Sequence, residues 1–149
     1  MNFESTTTFS FTQLANSFRY NFDLKMNEIH LHGGQVFVLF SLWNSDWQSQ
    51  IDLAKNLNLS APTINKMVKS LIQGGFVECS KCKNDGRMMR VHLTQKGIEH
   101  QKLIEEKCVE FDTDFFSNLN ETEKLILIQI FGKIRDNLSV KKFSQKAAQ

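Results

Sequence analysis

The chain has 149 residues, 41% hydrophobic and 23% charged, with one proline, seven glycines and three cysteines. That balance excludes a disordered, a collagen-like or a disulfide-stapled chain, and the length suits a single domain, 1–149, with its own core. The net charge is only +2, but Lys55, Lys66, Lys69, Lys81, Lys83, Arg87, Arg90 and Lys96 face only Glu78 and Asp85 in their window, a local +6, while the remaining 10 basic and 14 acidic residues sum to −4.

A basic middle between acidic flanks points to a polyanionic partner, unless it is a solvated face. The N-terminus has neither the basic nor the apolar segment of a signal peptide. The longest apolar run, Val36 to Trp43 with Ser41 inside it, falls far short of the ~20 residues of a membrane span. The expectation is a cytoplasmic protein with no membrane partner.

The first predicted element is a helix over about 10–28, striped by Phe11, Leu14, Ala15, Phe18, Phe22 and Met26. A second runs from Gly33 or Gly34 to Trp43 and is apolar nearly all round, as a core helix is. Ser49 to Asp52 forms a capping box for a short helix ending at Leu57. Ser60 then caps a helix with Pro62 in its first turn. This fourth helix carries Ile64, Met67, Val68, Leu71 and Ile72 on one side and Thr63, Asn65, Lys66, Lys69 and Ser70 on the other, and Gly74-Gly75 stop it.

Two alternating runs, Phe76 to Lys81 and Arg90 to Thr94, flank a polar turn containing Asn84-Asp85-Gly86 and predict a β-hairpin. Thr94 caps a long helix striped by Ile104, Cys108, Phe111 and Phe115. Asn120 and Glu123 box the start of a last helix striped by Leu127, Ile130, Phe131, Ile134 and Leu138, and residues 139–149 read as a frayed tail.

The fold class expected is therefore mainly α with a small β-hairpin wing, a winged helix-turn-helix. A helix N-terminus built from Ser60, Pro62 and Thr63 presents free N–H groups to a phosphate or base edge. Asn65 can bond adenine, Lys66 and Lys69 can reach guanine or phosphate, and Lys81, Lys83 and Arg87 on the hairpin suit a minor groove or backbone.

Several segments resemble the MarR family of bacterial regulators. Leu31 to Leu39 is similar to the family's second-helix signature, Ser49 to Ala54 to its "TQ-x-E-L-A" opening, and Leu59 to Ile64 to the start of its recognition helix. Gly75-Phe76-Val77 resembles its entry to the wing. Asp85-Gly86-Arg87 with Val91-x-Leu93-Thr94-x-x-Gly97 resembles its "D-x-R … V-x-L-T-x-x-G" wing. The resemblance spans residues 10–138.

It implies a homodimeric repressor of pseudo-palindromic duplex DNA. Residues 1–30 and 97–138 would form interlocking dimerisation helices, and 34–96 the DNA-binding lobe. It also implies that Asp85 steadies the wing arginine, Arg87 or alternatively Arg90. Gly33-Gly34 and the absence of a first-helix cysteine depart from the family's stronger helix start and from its peroxide-sensing branch. A crevice lined by Phe18, Phe22, His32, Phe37 and Phe40 would suit a small aromatic or lipophilic effector.

Other constellations are weaker. Cys79-Ser80-Lys81-Cys82 is half a zinc set, with His92 a third donor and no fourth. Nearby cations could instead lower a thiol pKa and make Cys79 and Cys82 a redox sensor, or Cys79 could be a plain strand residue. His30 and His32 beside Glu28 are a second, sparse donor group. No metal or cofactor is expected. The motifs of hydrolases, P-loops and zinc proteases are absent from the sequence, so an enzyme is not expected. The alternatives to a ligand-responsive regulator are a winged-helix protein-interaction module and a redox- or metal-responsive regulator.

Overall fold

The computed structural model describes residues 2–81 and 88–146, with side chains as far as residue 138. The chain divides into two compact units, Met1–Phe111 and Asp112–Gln149.

In the first unit a short 3-10 turn, Phe3–Ser5, precedes helix α1, Thr7–Asn27. The Thr6 hydroxyl caps α1 by accepting from Phe9 N. Only the C-terminal half of its apolar stripe is buried, at Phe22 and Met26. Phe11 and Leu14 are exposed.

Helix α2, Gly33–Asn44, buries Val36, Val38, Leu39 and Leu42 completely. It is the centre of the core, as an all-round apolar helix must be. Its polar exception, Gln35, is satisfied twice over. Gln35 Oε1 accepts from His32 N, and its Nε2 donates to Ser70 Oγ, both at 2.7 Å.

Helix α3, Gln50–Leu57, opens with the capping box expected of Ser49 and Asp52. Asn58 closes it in the left-handed conformation, φ 54°. Helix α4, Ala61–Gln73, follows. Ser60 caps it, Pro62 sits in its first turn, and Ile64, Val68 and Leu71 are buried. Gly74 ends it and Gly75 turns the chain at φ 74°, a conformation that favours glycine. The apolar sides of α2, α3 and α4 share one core, which leaves the opposite side of α4 in water.

Strands β1, Val77–Lys81, and β2, Met89–Leu93, pair antiparallel, with Cys79 opposite Val91 and Ser80 opposite Arg90. Gln48 extends this ribbon. Its N–H donates to Val91 O at 3.1 Å and its carbonyl accepts from Val91 N at 2.8 Å. The link ties the segment before α3 to the wing.

Thr94 caps the next helix as expected, but the helix is not continuous. Helix α5, Gln95–Glu99, ends at His100, whose N–H turns back to the Lys96 and Ile98 carbonyls. Helix α6, Gln101–Phe115, then begins. Helices α1 and α6 are joined by an ion-pair ring. Lys25 Nζ lies 2.9 Å from Glu110, and Lys107 Nζ lies 3.2 Å from Glu28 and 3.0 Å from Glu110.

In the second unit, helix α7, Glu121–Lys146, opens with the Asn120–Glu123 box, whose two bonds measure 3.0 and 2.9 Å. Ile128, Ile130, Phe131, Ile134 and Leu138 are exposed along it. The helix runs past the expected end at Leu138 to Lys146, because no glycine or proline follows Gly132 to stop it. None of the described helices is long and apolar enough to cross a membrane.

Candidate nucleic-acid interface

Helix α4 presents most of the residues singled out for polyanion binding. Ser60 and Pro62 are exposed at its start, Thr63 and Asn65 are half-buried, and Lys66 and Lys69 are exposed. The Ser60 and Thr63 hydroxyls lie 2.8 Å apart, so the first turn holds its own polar groups in order. Asn65 Nδ2 donates to Gln50 Oε1 at 3.3 Å. That contact joins the first residue of α3 to the outward side of α4.

Lys81 is exposed at the end of β1. Cys82, Lys83, Asp85 and Arg87 lie outside the described residues. Arg90 is in view, and its described partner is on another element. Its Nη1 stands 3.3 Å from Asp52 Oδ2 on α3 and 3.4 Å from the Trp47 carbonyl. The Asp52 carboxyl is itself lowered from its ordinary value, first by the Ser49 hydroxyl and also by Arg90. The support seen for Arg90 therefore comes from the helix-turn-helix.

The turn Asp46-Trp47-Gln48 is a part of the site that reading the sequence missed. Trp47 adopts φ 60°, costly for a bulky side chain. It is held there from two sides. Asp46 Oδ1 accepts from Trp47 N at 2.9 Å and from Leu93 N at 3.0 Å. The indole stacks on His92, with centroids 4.1 Å apart. The His92 Nε2 atom lies 2.9 Å from Ser80 Oγ. The one signal in the sequence is the polar turn Asn44-Ser45-Asp46, which by itself marks only the end of α2.

Four of the five residues expected to line an effector crevice make aromatic contacts in the described structure. Phe18 stacks on Phe22, Phe22 meets Phe37 at 5.8 Å, and both Phe18 and Phe22 pack on Phe111. Phe40 instead meets Trp43 edge-on at 5.2 Å. Phe37 and Phe40 together line a cavity of about 360 Å³ with Ser41, Asn44, Gln48 and Asn56. His32 is exposed at the start of α2.

Of the readings offered for Cys79, the thiol fits the plain strand residue and not the low-pKa redox sensor. Burial pushes that thiol up, and it pushes Cys108 up as well. His92, the third donor considered for zinc, is engaged with Ser80 and Trp47. Among the described residues no three His, Cys, Asp or Glu side chains cluster to hold a metal.

A trihelical core, a capped and outward-facing second helix of the pair α3–α4, and a two-stranded wing define a winged helix-turn-helix. Residues 31–89 match the MarR family. The chain is similar to the helix-turn-helix-type transcriptional regulator YdgJ of Bacillus subtilis strain 168, with 26% identity over 102 residues. That match covers 68% of this chain and 62% of the relative's length. Its fold is that of a MarR protein from Peptoclostridium difficile, with a TM-score of 0.82, 22% identity and 97% and 96% of the two chains covered. It is also that of Bordetella bronchiseptica BpsR, with a TM-score of 0.83, 18% identity and 91% and 97% covered. The DNA binding of BpsR is regulated by 6-hydroxynicotinic acid.

Proposed function

We propose that this protein is a cytoplasmic transcriptional regulator that binds a pseudo-palindromic duplex as a homodimer and releases it in response to a small aromatic or lipophilic ligand. The observation that carries the reading is helix α4. It is capped at Ser60 and anchored by Ile64, Val68 and Leu71, and its Thr63, Asn65, Lys66 and Lys69 face stays available. In a two-fold dimer two such helices enter successive major grooves about 34 Å apart.

Base edges come closest to Thr63, Asn65 and Lys66. Lys69, one turn on, meets phosphate, and the wing cations Lys81, Lys83 and Arg87 reach the flanking minor groove, with Asp85 and Arg90 as wing support. Residues 1–30 and 97–138 supply the dimer helices and 34–96 the DNA lobe. Exposed apolar side chains at Phe11, Leu14, Ile130 and Phe131 support that assignment. The regulation of BpsR by an aromatic acid supports a ligand response by analogy, and the cavity beside Phe37 and Phe40 is one place for such a ligand. A ligand releases DNA only if it prefers the conformation whose lobes are wrongly spaced.

Duplexes selected from a random library, then titrated at two salt concentrations, test the reading. Asn65→Ala should cost about 1–3 kcal/mol and relax one symmetric base position. Lys69→Ala should weaken all duplexes alike and flatten the salt slope by about one unit per subunit. A chain that shows no sequence preference in this assay is a non-specific binder or a protein-interaction module instead.

A further inference from the structure

We propose that Gln50 is a specificity-positioning residue, holding the Asn65 carboxamide in the one orientation that accepts adenine and rejects guanine. The inference rests on the reading of α4 as the base-reading helix. Gln50 opens α3 directly after the N-cap Ser49, inside the Ser49–Asp52 capping box, so its backbone is fixed by a local network. Asn65 stands on α4, half-buried, with Nδ2 donating to Gln50 Oε1 at 3.3 Å.

A carboxamide carries one acceptor oxygen and two N–H donors. Left free on a helix surface, it can rotate and offer either edge at little cost. Committing one N–H to Gln50 keeps the nitrogen on the α3 side. One N–H and the Oδ1 acceptor then remain side by side for the groove. Adenine presents the complement there, an N7 acceptor beside an N6 donor. Guanine presents two acceptors, N7 and O6. The held amide would aim Oδ1 at a guanine acceptor, leaving both atoms unpaired once water is expelled. A free Asn could turn and soften that clash, so the discrimination resides in the pair and not in Asn65 alone.

The full-length chain and the duplex recovered from the random library provide the test, with each position of the duplex substituted in turn. Asn65→Ala should relax one symmetric position. Gln50→Ala should reduce the adenine-over-guanine ratio at that same position by about tenfold, with the salt slope unchanged. The double variant should discriminate no worse there than Asn65→Ala alone. Gln50→Glu keeps an acceptor for Asn65, so it should retain the preference while its charge weakens all duplexes together. Equal weakening of every duplex by Gln50→Ala, with a shallower salt slope, would make Gln50 a backbone contact and overturn the proposal. Additive losses in the double variant would overturn it too. If Asn65→Ala relaxes a position that Gln50→Ala leaves intact, only this inference falls. If Asn65→Ala relaxes none, the assignment of α4 falls with it.

Discussion

Arg90 Nη1 lies 3.3 Å from Asp52 Oδ2, so the second wing strand is pinned to the capping box of α3. The same Asp52 oxygen takes the Ser49 hydroxyl at 2.7 Å, and one carboxylate thereby serves the start of α3 and the root of the wing. The Asp52 side chain is 46% exposed and that of Arg90 27%, which places the pair among screened surface interactions. Arg90→Ala should therefore cost less than about 1 kcal/mol in urea unfolding. It should nonetheless speed hydrogen exchange at the Gln48 and Val91 amides, which bridge the same two elements. A loss near 3 kcal/mol, or unchanged exchange, would show that the pair does something else.

Acid should weaken the first unit through Asp52 and Glu110. Both carboxyls are lowered in the folded state, Asp52 first by the Ser49 hydroxyl and Glu110 first by Lys25 and then Lys107. A lowered carboxyl stabilises the fold above its unfolded pKa of about 4, and the contribution disappears as pH falls through the folded value. Lys25 and Lys107 are raised by their carboxylate partners. Their contribution is present below the unfolded lysine value of about 10.4 and is lost only as pH rises through the folded one. Thermal melts from pH 6 to pH 2.5 should show a declining acid limb that Glu110→Gln makes shallower. An unchanged limb in that variant would mean that the ring with Lys25 and Lys107 adds nothing.

Gly97 has a structural reason to be glycine. A Cβ there would collide with the Phe76 carbonyl, and that carbonyl already accepts from Thr94 N at 3.0 Å. The Gly97 carbonyl in turn accepts from Trp43 Nε1 at 3.1 Å. Backbone cannot move aside as a flexible side chain can, so Gly97→Ala should destabilise by about 2–3 kcal/mol. Chemical denaturation measures it directly. A variant within about 0.5 kcal/mol of the parent would show that α5 and the strand entry can separate freely.

Cys79 should be a slow thiol. Burial raises its pKa, which leaves little thiolate at neutral pH. Labelling at Cys79, followed site by site by mass spectrometry, should run several-fold slower than in an unfolded control, and Cys79→Ser should leave DNA affinity unchanged. Fast labelling accompanied by loss of binding on mild peroxide treatment would restore the redox reading.

The α7 stripe should control assembly. Phe131 and Ile134 are exposed in this chain at 40% and 45%. Burying the part of Phe131 that is still exposed yields about 1 kcal/mol, and in a two-fold interface each substitution counts twice. Phe131→Asp should therefore weaken self-association by about tenfold or more. Sedimentation equilibrium reads this, and affinity for the full palindrome should fall in parallel. A variant that remains as dimeric as the parent would place the interface elsewhere.

The caps explain why so much of the helical order could be read from the residues alone. Ser49 with Asp52, Ser60 with Thr63, Thr94 with Gly97 and Asn120 with Glu123 are all contacts between residues three apart. Their spacing is written directly in the chain, and so is the alternation that makes β1 and β2. The break at His100 and the extra length of α7 escaped because neither changes the apolar period.

Beyond the hairpin, what sequence could not provide was the pairing between segments distant in the chain. Arg90 has several acids within plausible reach in the sequence, and only the packing of the wing on α3 selects Asp52. Nothing in the run Asn44 to Gln48 announces a left-handed Trp47 stacked on His92, or a Gln48 that lengthens the hairpin. Gln50 and Asn65 look unrelated until the core beneath α3 and α4 brings their amides together. Local order follows from bonds that close within one turn of chain. These longer contacts exist only after the apolar faces of α2, α3 and α4 have excluded water and set the angles between their helices.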